Sequence, residues 1–183
     1  MPRHHRPQEP GLTYHVTARG NRKGPIYEDD YDRYRFLDSL IWTIRVHGWR
    51  CHAYCLMTTH YHLLITTPEP NLAGGMHMLN SRHAHGFNRR HKLSGHVFES
   101  RYHSVVVERE SHLLELFRYI ALNPVRAGAC LEPEQWPWSS YSFAIGLKAN
   151  PDFLSTEVLI ESFSCEPERA RALLHDFVSS AKR

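Results

Sequence analysis

The 183-residue sequence has no apolar run long enough to cross a bilayer, and its opening stretch, MPRHHRPQEPGL, lacks the hydrophobic core of a signal peptide. Both absences predict a cytoplasmic protein. Cysteine is scarce: Cys51, Cys55, Cys130 and Cys165 make no disulfide framework, and reduced thiols suit that compartment. A second Cys pair is missing too, so Cys51 and Cys55 read as small strand residues sooner than as half of a zinc site. No Walker or Rossmann phosphate-binding pattern occurs, and no internal repeat is visible. Excess charge is small, +3 with neutral histidines, which permits a polyanionic partner without requiring one. Histidine, by contrast, is abundant: 15 residues that would add positive charge in mild acid. With 42% hydrophobic and 22% charged residues the composition is that of a globular protein, long enough for one core and a small appendage.

Periodicity gives the order of elements. YHVTAR, 14–19, alternates as a strand and is broken by GNRKGP. Asp29 and Asp30 open a helix in which Leu37, Leu40, Ile41 and Ile44 recur at helical spacing, and Gly48 stops it. RCHAYCLM, 50–57, and HYHLLITT, 60–67, are two strands joined through Thr58 and Thr59, hence antiparallel neighbours. Leu72, Met76, Leu79 and Phe87 mark a second helix running into NRRHK; SVVVE, 104–108, is a fourth strand. Ser111 can cap a third helix over about 112–122, which Pro124 terminates. The first six elements follow the ferredoxin-like βαββαβ order: an α+β fold with an antiparallel sheet and helices on one face. That fold hosts many functions and settles none. After LKANPD two short helical patterns follow, near 155–163 and 167–180. The expected division is a main domain over 1–145 and a C-terminal helical appendage over 146–183.

The chemistry centres on LMTTHYHLLI, 56–65. Residues two apart on a strand share a face, so His60 and His62 point one way and Tyr61 the other. Two imidazoles on one face can hold a metal ion or pack as polar residues. In FRYIALNPVRAG, 117–128, Tyr119 falls nearly opposite the apolar stripe of Leu113, Leu114, Phe117, Ile120 and Ala121, and Asn123 lies one turn on. The plain alternative is an amphipathic tyrosine on a second packing surface, with Asn123 as a helix cap. Together the parts have a logic. A phenol, with a pKa of about 10, attacks a phosphodiester poorly. A metal ion lowers that barrier by polarising a phosphoryl oxygen. Two histidines and a carboxamide oxygen make a plausible open site for Mg²⁺ or Mn²⁺, with the nitrogen donors tilting it toward Mn²⁺.

THYHLL resembles the His-hydrophobic-His signature of the HUH endonuclease superfamily, and RYIALNPVRAG with PWSSY resembles the tyrosine-bearing segment of single-tyrosine transposases. With PGLTYHVTARGNRKGPIY and FNRRHKLSGHVFESRYHS in the same order, the sequence is similar to REP-associated tyrosine transposases from about Pro10 to Tyr141. The resemblance implies His60 and His62 as metal ligands, Tyr119 as nucleophile and Asn123 as third ligand. It implies a partner too: single-stranded or hairpin DNA, cut through a 5′-phosphotyrosine by a monomer or homodimer at the nucleoid. The expected DNA contacts are Arg19, Arg22, Lys23, Arg89, Arg90, Arg101, Arg118 and Arg126. Two departures are visible. Tyr61 is a second phenol between the histidines, and MTTHYH stands where the family usually has Pro-Asn before the first histidine. Two rival readings are a non-catalytic nucleic-acid-binding module on the same fold and a zinc hydrolase using His60, His62 and a thiol.

Overall fold

Residues 9–181 are described in a computed structural model. Residues 1–8, most of the stretch read above for a signal peptide, and residues 182–183 of the appendage lie outside them. Strands β1 (Leu12–Arg19), β2 (Arg50–Leu56), β3 (His60–Thr67) and β4 (His103–Val106) form one sheet in the order β2-β3-β1-β4, every pair antiparallel. Helices α1 (Asp30–His47) and α2 (Leu72–His91) lie between β1 and β2 and between β3 and β4 in the chain. This is the ferredoxin-like α+β arrangement expected from the periodicity. Among the described residues no helix is long and apolar enough to cross a membrane.

Strand alternation divides the sheet into two surfaces. Tyr14, Val16 and Ala18 of β1 and Tyr61, Leu63 and Ile65 of β3 pack with Phe36 and Leu40 of α1 and with Met76, Leu79 and Phe87 of α2. Leu64 of β3 and Ala53 and Cys55 of β2 face the other way, into a second core with Leu113, Phe117, Ile120 and Ala121 of α3 (Glu110–Arg126). So α1 and α2 share one face, and α3 crosses the opposite one. A β-bulge between Cys51 and Ala53 shifts the β2 register. Cys51 and Cys55 would otherwise share a face; the bulge sends one thiol to each core. Burial pushes the Cys51 thiol up to about 12, and Cys55 is raised by burial too. Neither is a ready thiolate for a metal.

The tail is not a separate body. Leu159 of α5 (Glu157–Glu161) and Leu174 and Val178 of α6 (Pro167–Ser179) are buried in the α3 core with Tyr141 of the short α4 (Tyr141–Ala144). The Tyr141 hydroxyl lies 2.9 Å from Nδ1 of His175 on α6. The tyrosine helix is thus held between the sheet and the C-terminal segment.

Both ends of α3 differ from expectation. It begins at Glu110 with Arg109 at the N-cap and no side-chain cap, so Ser111 lies within the first turn. It also runs through Pro124 to Arg126. Proline there gives up the N–H that would donate to Ile120 O, and the helix runs only two residues beyond it. The terminator is Gly128, at φ +69°, which closes a Schellman motif: Gly128 N–H donates to Val125 O (2.9 Å) and Ala129 N–H to Pro124 O (2.9 Å). Asn123 therefore sits inside the helix, one turn above Tyr119 on the same side.

Candidate active site

A cleft of about 540 Å³ opens where the second surface of the sheet is left uncovered beside α3. Its floor is strand alternation made visible. His15, Thr17 and Arg19 of β1, His60 and His62 of β3 and His103 of β4 all project to this side and line it, and α3 adds Leu116 and Tyr119. Register fixes the neighbours: Arg19 pairs with His60, and Thr17 lies between His62 on one side and His103 on the other.

The rings are close. His60 and His62 have centroids 5.0 Å apart and nearly perpendicular planes. Tyr119 meets His62 edge to face at 5.5 Å. The Tyr119 ring is 39% exposed, and the guanidinium of Arg126 lies 5.4 Å from its centroid. Asn123 hydrogen-bonds the His60 ring, which favours its protonated form. Burial and the Arg19 charge work the other way, and the net shift of His60 is downward. His62 is only 4% exposed; burial first, then His15 and His60, lower it to about 3. His15 falls to about 4, chiefly through burial, with His103 and His112 adding repulsion. Burial thus favours the neutral form of all three rings, the form that binds metals.

One nitrogen in the cleft lacks a partner. His62 Nδ1 lies 3.0 Å from Nε2 of His15, but His62 Nε2 is buried and has no hydrogen-bond partner. A buried polar atom without a partner is uncommon, and a ligand lone pair aimed at an ion is one physical reason for it. Among the described residues no three His, Cys, Asp or Glu side chains gather as a metal group. The side chains here that could donate to an ion are His60 and His62, with the Asn123 carboxamide at the His60 ring. That set is open enough for substrate and suits Mn²⁺ or Mg²⁺ better than a closed structural site would.

Tyr61 is the contrasting phenol. It is fully buried on the α1/α2 side, donates to Asn80 Oδ1 at 2.6 Å, and is raised by burial. At the position where Pro-Asn was expected, Thr59 places its hydroxyl 3.1 Å from His60 Nδ1.

The basic residues do not form one patch. Arg19 lines the cleft and Arg126 covers Tyr119. Arg22 and Lys23 are exposed in the 3-10 turn Asn21–Lys23 that follows β1, both with left-handed backbone at φ 54° and 59°. Arg101 borders a separate cleft with His77 and Asn80 of α2. Arg89 and Arg90 lie between α1 and α2, on the far side of the sheet. Arg90 is engaged there by Asp29 (2.5 Å) and Asp32 (2.7 Å), and holds the Asp29 carboxyl down at about 2. Arg118 pairs with Glu115 and stacks over Phe177 of α6, 4.4 Å from its centroid. His15 and His103 escaped the sequence reading. Strand parity gives the face of His15, but only the sheet order brings it beside His62.

A sequence profile described as "Transposase IS200 like" matches residues 9–123. In fold the chain is similar to a solved structure titled "Structure of the REP associates tyrosine transposase bound to a REP hairpin": TM-score 0.69, 19% identity, 86% of this chain and 93% of that one covered. A crystal structure of a putative transposase from Deinococcus radiodurans R1 also matches, at TM-score 0.46 and 18% identity over 64% of this chain and 95% of that one. No curated protein matches. The profile spans well over half of the chain and takes in every strand of the sheet, the cleft histidines and the tyrosine helix as far as Asn123. On that match the protein belongs to the IS200-like transposase family and is a DNA-processing enzyme.

Proposed function

We propose that this protein is a metal-dependent single-strand DNA endonuclease and strand transferase of the REP-associated branch, acting on hairpin DNA through a covalent 5′-phosphotyrosine. The observation that carries the reading is the buried, partnerless Nε2 of His62, beside His60 and edge-on to Tyr119. The likeness in fold to a transposase solved with a REP hairpin supports the choice of substrate. His60, His62 and Asn123 would hold Mg²⁺ or Mn²⁺. The bound ion would polarise a phosphoryl oxygen and stabilise the charge that builds on it.

The chain's own residues do the rest. α3 aims Tyr119 into the cleft and keeps it exposed enough to meet a backbone phosphate. Its phenolic oxygen forms a bond to phosphorus as the bond to the 3′-oxygen breaks; the phenol's proton goes to solvent and the released 3′-oxygen gains one. The covalent link stores the phosphodiester bond, so a second 3′-hydroxyl can reverse the step and join strands without a nucleotide cofactor. Arg126 over the Tyr119 ring and Arg19 beside His60 are both placed for a phosphate.

The test is incubation with single-stranded hairpin DNA and Mn²⁺, read on a denaturing gel. A DNA–protein adduct that retains the fragment 3′ of the cut is expected. His60→Ala and His62→Ala should lower cleavage by orders of magnitude while hairpin binding survives. Undiminished cleavage in EDTA would remove the metal from the scheme.

A further inference from the structure

The His62 ring has two nitrogens and one visible partner. His15 Nε2 lies 3.0 Å from His62 Nδ1, and the two rings are stacked 15° from parallel with centroids 5.2 Å apart. A neutral imidazole carries its proton on one nitrogen only. If the proton were on Nε2, a buried N–H would point at nothing. If it is on Nδ1, that N–H donates to His15 and Nε2 keeps a free lone pair. Orphaned buried donors are rarer than orphaned acceptors, so the second arrangement is favoured.

His60 shows the same design with a different residue. Its Nδ1 is engaged by the Thr59 hydroxyl at 3.1 Å. Each histidine thus has a neighbour at Nδ1, and at His60 the Asn123 carboxamide is a further partner of the ring.

We infer that His15 is a positioning residue: it accepts the Nδ1–H of His62, fixes that tautomer, and so presents the Nε2 lone pair to a divalent cation. This rests on the metal reading above and deepens it. His15 does not itself ligate the ion. It acts through the ring it orients, as outer hydrogen-bond partners of metal-bound histidines commonly do. Its place on β1 suits that task, because β1 is paired on both edges, to β3 and to β4.

Long-range ¹H–¹⁵N NMR of the metal-free full chain reads the tautomer directly. Wild type should show His62 protonated at Nδ1; protonation at Nε2 would overturn the assignment without any variant. His15→Phe keeps a stacked ring but offers no acceptor. It should mix the His62 tautomers and weaken Mn²⁺ binding about 10- to 100-fold by calorimetry. His15→Gln can place an amide oxygen near the old Nε2 and should restore most of both. Unchanged Mn²⁺ affinity and an unchanged tautomer in a folded His15→Phe protein would overturn the role of His15. Absence of Mn²⁺ binding by wild type would overturn the metal reading instead, and the NMR signature would still judge the tautomer by itself.

Discussion

His83 and His62 are both buried aromatic bases, one on each side of the same sheet. On the α1/α2 side, His83 Nε2 lies 2.8 Å from Ile26 O, and its ring packs among Tyr27, Phe36, Phe87 and Phe98. On the α3 side, His62 has one nitrogen engaged and one left over. Both are pushed down by burial, to about 4 and about 3. Burial and a lowered pKa therefore do not tell the two positions apart. What separates them is place: the His83 ring is enclosed by aromatic side chains of the α1/α2 core, and the His62 ring lines an open cleft.

The sharpest way to test that division is to remove one phenol from each side. Tyr119→Phe should abolish covalent adduct and cleavage while hairpin binding remains. Tyr61→Phe should keep most activity and cost about 1–2 kcal/mol of stability, since it deletes a buried donor to Asn80. Adduct formation by the Tyr119→Phe protein, seen on a denaturing gel, would reverse the assignment of the two sides.

Breaking the closed side alone should act on stability and not on chemistry. A Cβ built on Gly75 of α2 would come within 2.1 Å of the Trp49 ring, whose indole N–H donates to Asn71 Oδ1 at 2.6 Å. Gly75→Ala should cost about 1–3 kcal/mol as overpacking, measured by urea unfolding. The protein that remains folded should cut hairpin DNA at the wild-type rate.

Acid should weaken the closed side in a predictable window. His83 falls from 6.5 to about 4 on folding, so the unfolded chain binds its proton more readily. Stability from this group is present above pH 6.5 and is lost as pH falls toward 4. The slope is one proton, about 1.4 kcal/mol per pH unit at most. Comparing unfolding at pH 7 and pH 5 should show less pH dependence in His83→Gln than in wild type.

The smallest effects belong to single arginines. Arg19→Gln or Arg126→Gln, at the cleft, should flatten the salt dependence of hairpin binding by about one unit of slope. Arg90→Gln should change that slope little, because its guanidinium is already held by Asp29 and Asp32. Equal slopes for all three would mean that DNA reaches both sides of the sheet.

Much of this layout was legible in the chain. Alternation gave the opposed directions of Tyr61 and His62, and helical spacing gave the pairing of Tyr119 with Asn123. What escaped depends on contacts between distant segments or on backbone irregularity. His15 becomes a neighbour of His62 only when β1 lies against β3. Cys51 and Cys55 part company at a bulge that no residue type announces. Pro124 looked like a stop, yet the helix runs two residues past it to Arg126 before Gly128 closes the end. Arg90 looked free because its carboxylate partners lie some sixty positions earlier, on another helix.

The packing of the tail on α3 also sets an order of events during synthesis. Translation delivers the N-terminal part first, at about 5–20 residues per second. All the buried members of the α1/α2 core except Trp138 and Leu154 have been made once Tyr102 has left the ribosome. The core around the tyrosine helix waits for Leu159, Leu174 and Val178. A nascent chain thus builds its inert half early. The support that holds the Tyr119 helix in place arrives last, so the cleft is completed only when the C-terminal segment has been made.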